Sequence, residues 1–249
     1  VTSPSLLLFT RQRKKRKART EKEAAPMTTT GQDTNAVRAM RGLADDRSSV
    51  RLRAALAVGS APDPVFVDPL VERCAVEPDF YVRDLLTWAL TRHPAALTLP
   101  LLLDEIRSER TQARSQALHT LSKIGDRQAW PAITRALLTD AEDEVARSAW
   151  RAAVVLVPEG AEPGLAAVLA TQLGRGERET QLSLSRALVA LGDVITPALH
   201  GATTAPEPRV RAHAIATQRL LSDPDTGFES AIEEAKRVVA LGGYSAEGQ

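Results

Sequence analysis

The sequence predicts an all-α fold, an α-solenoid of about six helix pairs closed by a C-terminal capping helix. Two ladders and the composition predict it. A small apolar residue followed by Arg recurs at Arg51, Arg83, Arg114, Arg147 and Arg211, with Gln181 in the fifth slot, at intervals of 32, 31, 33, 34 and 30. Prolines at 69, 100, 131, 163 and 197 form a second ladder, out of phase with the first and spaced 31, 31, 32 and 34. Aromatics make up only 4% of the chain while aliphatic residues abound, a mixture suited to packed helices rather than to a β-sandwich or barrel. A fixed period near 32 residues marks a stack of supersecondary units.

Residues 1–33 stand apart, with no helical or strand period. Seven of the nine residues from Arg11 to Arg19 are basic, and such a block repels itself and is expected to be a disordered basic tail. The short apolar stub SLLLF precedes these charges, the reverse of the order in a secretory signal. The block reads as an arm for nucleic acid or an acidic partner, while the polar lead opened by Met27 and the four of six Lys that lie before it offer the alternative that residues 1–26 are upstream sequence from a misassigned start.

The repeat region is expected over 34–242. After each anchor an apolar residue follows at +3 and +7: Ala54 and Val58, Leu86 and Leu90, Ala117 and Leu121, Trp150 and Val154, Leu184 and Leu188. With the −1 residue they form one stripe of a 3.6-residue helix, the second helix of each pair. Gln218 interrupts the stripe in the sixth copy. Each ladder proline precedes an apolar stretch and is expected in the first turn of a first helix, where a missing N–H costs nothing. Gly125-Asp126 and Gly192-Asp193 read as a helix stop followed by an N-cap. Pro62, Pro78, Pro94, Pro158 and Pro206 fall between helical segments. A last amphipathic helix, 228–241, has one polar face and is expected to cap the stack, with 243–249 a disordered tail.

Composition narrows the function classes. The formal charge of +1 divides into +6 for residues 1–26 and −5 for the rest. An acidic body gains little by counterion release on phosphate, so nucleic acid binding is expected only through the basic tail. The longest aliphatic run, 152–157, is too short to span a bilayer. Cys74 is the only cysteine, which excludes an intrachain disulfide and fits a cytoplasmic setting. The expected state is a monomer.

The Pro-initiated first helices and the Val50-Arg51 and Ala113-Arg114 second-helix starts resemble the short HEAT-like repeat family, the phycobilisome-lyase-like class, over roughly 34–242. VRDLLTWALTRHP and ARSQALHTLSKIGD also resemble HEAT regions of high-GC bacteria that are sometimes fused to MerR-type regulators. The resemblance implies the fold, while activity must be argued from side chains. Deoxyhypusine hydroxylase-like members need His-Glu pairs, but the four histidines read His93-Pro94, His119-Thr120, His200-Gly201 and His213-Ala214. No metal or cofactor is therefore expected. Cys74 and the scattered histidines form no local constellation for bilin-lyase chemistry. An alkylpurine DNA glycosylase would need a carboxylate and aromatic walls, for which Asp143 near Arg147 and Arg151, with Trp88, Trp130 and Trp150, are the candidates. Trp150 occupies a core position, and the acidic body opposes DNA binding.

The Arg ladder reads as structural, with Asp46, Asp79 and Asp143 placed four or five residues ahead of Arg51, Arg83 and Arg147 for charge-assisted bonds. Positions +1, +2, +5 and +9 point away from the core stripe. They hold Arg53, Asp84, Trp88, Arg92, Ser115, Gln116, His119, Lys123, Arg186 and His213. Trp88 with Arg92, beside His119 and Lys123, makes an aromatic and basic patch of the residue types enriched at binding hot spots. The expectation is a non-enzymatic scaffold binding a protein partner on its concave face. The alternatives are the glycosylase and a regulator's domain sensing an apolar ligand between repeats.

Overall fold

The computed structural model describes the backbone of residues 32–246 and the side chains of 36–241. The basic block at Arg11–Arg19, the Met27 lead and residues 247–249 lie outside the described residues. Contacts divide the chain into two units, Val1–Arg38 and Ala39–Gln249. Only helix α1 (Gln32–Leu43) is described in the first unit, and it runs on into the second.

Within the second unit the helices alternate as first and second members of pairs. The second helices are α2 (Ser48–Ser60), α4 (Phe80–Thr91), α6 (Thr111–Ile124), α8 (Asp143–Leu156), α10 (Arg178–Val189) and α12 (Pro208–Ser222). The first helices α3 (Val67–Cys74), α5 (Ala95–Glu105), α7 (Arg135–Leu138), α9 (Glu162–Ala170) and α11 (Thr196–Ala202) lie between them, and α13 (Phe228–Ala246) ends the described chain. Each second helix packs on the next, from α2 on α4 through α10 on α12, and α13 packs on α12. Each first helix from α3 onward packs against its own second helix, and α3 also meets α5 as α9 meets α11. Among the described residues there is no strand. The fold is an all-α solenoid.

The period-3.6 stripe forms the core. Val58, Leu86, Leu90, Leu121, Trp150, Leu184 and Leu188 are all almost wholly buried, each aliphatic contributing about 1.5–3 kcal/mol. Trp150 also donates Nε1–H to the Leu138 carbonyl at 2.8 Å, so its one polar group is satisfied. Val154 is half-buried. Gly125 closes α6 in the left-handed region at φ 70, and Asp126 then caps the following 3₁₀ turn by accepting from Gln128 N–H at 2.9 Å. The five inter-helix prolines all fall outside α-helices.

Three local expectations are corrected. Pro100 is the sixth residue of α5, because Pro94 already ends the preceding turn and the helix starts directly after it. Pro131 sits in a 3₁₀ turn, Arg127–Ala132, that takes the place of a long first helix. Asp193 lies inside the 3₁₀ turn Gly192–Ile195 and caps nothing with its side chain. The last helix runs five residues beyond 241, and α1 starts at Gln32 rather than at 34.

The ladder arginines clamp the turns in front of their own helices. Nη1 of Arg51 donates to the Asp45 and Asp46 carbonyls at 2.9 and 2.7 Å. Arg83 does the same to Glu77 and Pro78, Arg114 to Ser108 and Glu109, and Arg211 to Ala205 and Pro206. Gln181 reaches one such carbonyl, that of Gly176. Arg147 departs from this pattern and pairs with Glu179 one repeat on, at 3.3 Å. The aspartates expected beside these arginines serve otherwise. Asp79 caps α4 through Tyr81 and Val82 N–H, and Asp143 binds Arg175 at 2.8 Å.

Glu77 is the hub of the N-terminal repeats. It is wholly buried, accepts from Nε and Nη2 of Arg51 at 2.7 Å each, and also binds Arg73 Nε and Asp79 N–H. Burial pushes its carboxyl up, but the bonds from Arg51, Asp79 and Arg73 hold it below the ordinary glutamate value.

Candidate functional site

The exposed face of the second helices is most developed on α2, α4 and α6. On α4, Tyr81, Trp88 and Arg92 are spaced seven and four residues apart, which places them on one helical face. Trp88 is 36% exposed, Tyr81 73% and Phe80 66%. Phe80 stacks edge-on against Tyr81 with centroids 5.6 Å apart, and the Arg83 guanidinium lies 5.9 Å from the Phe80 ring. Leu56, at +5 of α2 as Trp88 is at +5 of α4, is 49% exposed. The indole of Trp88 rests on Gly59 of α2, where a Cβ would lie 2.2 Å from Cζ3. The absence of a side chain there seats the ring, and the outer part of the indole remains in solvent.

The polar half of the face comes from α6 and α8. His119 is half-buried, and its imidazole is pushed down to about 4 by burial, then by the charges of Arg151 and Lys123, with Asp84 opposing. That mutual influence places Asp84, His119, Lys123 and Arg151 in one electrostatic neighbourhood. Arg151 is exposed and donates Nη2–H to Ser148 Oγ at 3.0 Å. Desolvation by the surrounding protein and the nearby Arg147 lower its guanidinium below the ordinary value, with Glu144 opposing. At neutral pH the face carries Arg53, Arg92, Lys123 and Arg151 with a neutral His119, against Asp84 and Glu144.

The structure brings Trp88 and Arg92 onto one face and His119 and Lys123 onto the next helix. Arg53 is exposed on α2, and Arg186 is exposed on α10, three second helices away from Trp88. His213, expected on the exposed face, is fully buried. Its Nδ1 accepts from Gly174 N–H at 3.0 Å, and Nε2 meets the Gln181 carbonyl at 3.0 Å and Ser185 Oγ at 2.9 Å. Position +2 of α12 faces the preceding helix, so His213 joins repeats. Ser115 is buried too, bonded to Ser148 Oγ at 3.0 Å.

Sequence reasoning missed Leu56, Phe80 and Tyr81, and placed Arg151 beside Asp143 rather than on this face. Leu56 and Tyr81 carried a signal, since the first shares the +5 slot of Trp88 and the second precedes Trp88 by two helical turns. Arg151 did not, because α8 is rotated. Its +5 and +9 residues Ala152 and Leu156 are buried, whereas Arg151 and Val155 face solvent.

The residues of the rival chemistries are otherwise engaged. Trp150 is core, and Asp143 accepts from Arg175 and from Thr180 Oγ1 at 3.0 Å. The Cys74 thiol is pushed up to about 12 by burial and by Glu77, so it is not a thiolate nucleophile at neutral pH. Among the described residues, no three His, Cys, Asp or Glu side chains gather as metal ligands. Among them too, no single helix is long and apolar enough to cross a membrane.

Residues 78–154, which run from the turn before α4 into α8 and include the centre of this face, match the family model of HEAT repeats. Among solved structures the chain is similar to an engineered protein, with 20% identity over 80% of this chain and 96% of that one and a TM-score of 0.42. It is also similar to the complex of CpcE and CpcF of phycocyanin lyase from Nostoc sp. PCC7120, with 17% identity over 91% of each chain and a TM-score of 0.44. At these scores neither similarity carries an argument about activity. No curated protein matches significantly. The helical stack places the candidate residues; their chemistry has to supply the function.

Proposed function

We propose that this chain is a non-enzymatic adaptor that binds a protein partner through the second-helix face centred on Trp88, Arg92, His119 and Lys123. The observation that carries the reading is Trp88: a tryptophan seated on a glycine, with its outer part left in solvent beside Arg92. A half-exposed tryptophan beside an arginine is the composition of an interface hot spot. Leu56 and Tyr81 extend the apolar area, and the cations of α6 and α8 form a polar rim.

The test is affinity capture with the immobilised full chain beside its Trp88→Ala/Arg92→Glu variant, each checked for unchanged helicity by circular dichroism. A protein held by the wild type and lost by the variant is the expected result. Capture of the same set by both would overturn the reading.

A further inference from the structure

The geometry points to an amphipathic α-helix with acidic flanks, supplied by a partner protein, as the occupant of this face; the inference rests on the protein-binding reading above. The chain carries its own example of such an occupant. In α12 the +1, +5 and +9 positions are Ala212, Ala216 and Leu220, equivalent to Asp84, Trp88 and Arg92 in α4 and to Ser115, His119 and Lys123 in α6. There the face is covered by α13. Ala212 and Ala216 are buried with Phe228, Ala231, Ile232 and Ala235, while Leu182 of α10, Leu220 and Val239 pack at the margins. The covering residues of α13 fall at helical spacing on one stripe.

Carboxylates flank that stripe and reach arginines of the second helices. Glu229 pairs with Arg178 of α10, and Glu234 pairs with Arg219 of α12 at 2.6 Å. The second-helix face at this end of the stack therefore holds a helix by an apolar seam with Glu-to-Arg contacts beside it.

On α2 and α4 the comparable face is uncovered, while on α6 Ser115 is buried against α8 and His119 is half-buried, and the open part has the complementary character. Leu56, Trp88 and Tyr81 offer the apolar seam, and Arg53, Arg92, Lys123 and Arg151 outnumber Asp84 and Glu144 around it. Bulk is reversed between the two places. Small Ala212 and Ala216 receive the large Phe228 and Ile232, whereas the large Leu56 and Trp88 call for small residues in the incoming seam. The apolar seam between the cations favours a helix over a nucleic acid, because a phosphate backbone offers nothing to cover Leu56 and Trp88.

The probes are two fluorescein-labelled helical peptides of about 20 residues, each with an Ala and Leu stripe, one flanked by Glu and the other by Lys. Their anisotropy is titrated with the full chain and with its Trp88→Ala/Arg92→Glu variant, beside a labelled DNA duplex. Sedimentation of the chain alone reads self-association. The Glu-flanked helix should bind at least about tenfold more tightly than the Lys-flanked one and lose about tenfold or more with the variant. Equal binding of both peptides, indifference to the variant, or tighter binding of the duplex overturns the proposal. Self-association abolished by the same variant also overturns it, naming a second copy as the occupant. Failure of the Glu-flanked helix while the variant still loses its captured partner removes only the helix; a partner captured equally by both chains removes the protein-binding reading itself.

Discussion

His213 shows how a single side chain can join three elements. Gly174 N–H occupies Nδ1, so the ring is the Nε2–H tautomer, and that proton is shared by the Gln181 carbonyl and Ser185 Oγ. Ser185 then donates to Thr217 Oγ1 at 2.8 Å, and Thr217 returns its proton to the His213 carbonyl at 2.8 Å. Protonation of Nδ1 would break the bond to Gly174 and place a charge in the core, which is why burial pushes the imidazole down to about 4, with the Gln181 carbonyl opposing. The folded value lies below the ordinary 6.5, so the contribution is complete above about pH 6.5 and is lost as the pH falls toward 4. Between pH 7 and pH 5 this one group should cost about 2 kcal/mol of unfolding free energy. Urea unfolding of wild type and His213→Gln at both pH values checks it, because the variant should lose that part of the pH dependence. Equal differences for the two proteins would remove the role given to this imidazole.

At the scale of elements, α2 and α4 meet through one glycine and one indole. A Cβ at Gly59 would come within 2.2 to 3.0 Å of three atoms of the Trp88 ring. Gly59→Ala should therefore expel the ring, cost about 1–3 kcal/mol by overpacking, and shift the tryptophan emission to the red. In a Trp88→Ala background the obstacle is gone. The same substitution should then stabilise by about 1 kcal/mol, because alanine is the better helix former. A double-mutant cycle measured by chemical denaturation isolates the coupling, and identical effects in the two backgrounds would show that the ring does not rest on Gly59. The sequence showed Trp88 on an outward position. Its seat was not legible, because Gly59 is 29 residues away and belongs to a different repeat.

For the whole molecule, the links that matter run between repeats. Glu77 ties α2 to the turn before α4, and the Glu77 and Cys74 carbonyls accept from Gln112 of α6 at 2.8 and 3.1 Å. Arg114 pairs with Asp140 at 3.3 Å, and Arg175 with Asp143 at 2.8 Å. No pair buries its stripe alone, so stability is a sum over neighbours. Deleting residues 114–130 leaves α5 without its second helix and exposes the stripes of α4 and α8. It should abolish cooperative thermal unfolding followed by circular dichroism. Removing one whole period, residues 95–126, should leave a shorter stack that still melts in one transition, with a smaller unfolding enthalpy. An unchanged melting curve for the shorter deletion would contradict stacking.

The helices, their pairing and their buried stripes were legible in the sequence because each follows from local chemistry repeated six times. Proline and glycine punctuate the backbone, an arginine in four of the six repeats satisfies the carbonyls five and six residues before it, and apolar residues return at helical spacing. Pro100 marks the limit of that reasoning, since a helix already begun at Ala95 carries the proline in its interior. Which outward positions remain in solvent was decided only by tertiary structure. The +5 residue is half-exposed Trp88 in α4, buried Ala152 in α8 and Ala216 beneath α13 in α12. The cause is what meets each position: α13 lies over Ala216, while α8 turns Ala152 inward and leaves Arg151 and Val155 exposed. Ser115 of α6 and Ser148 of α8 meet at 3.0 Å in the buried contact between those helices, while Arg151 is exposed. A period shared by all six repeats cannot encode that difference, because it arises from the sizes of the residues that meet across each interface.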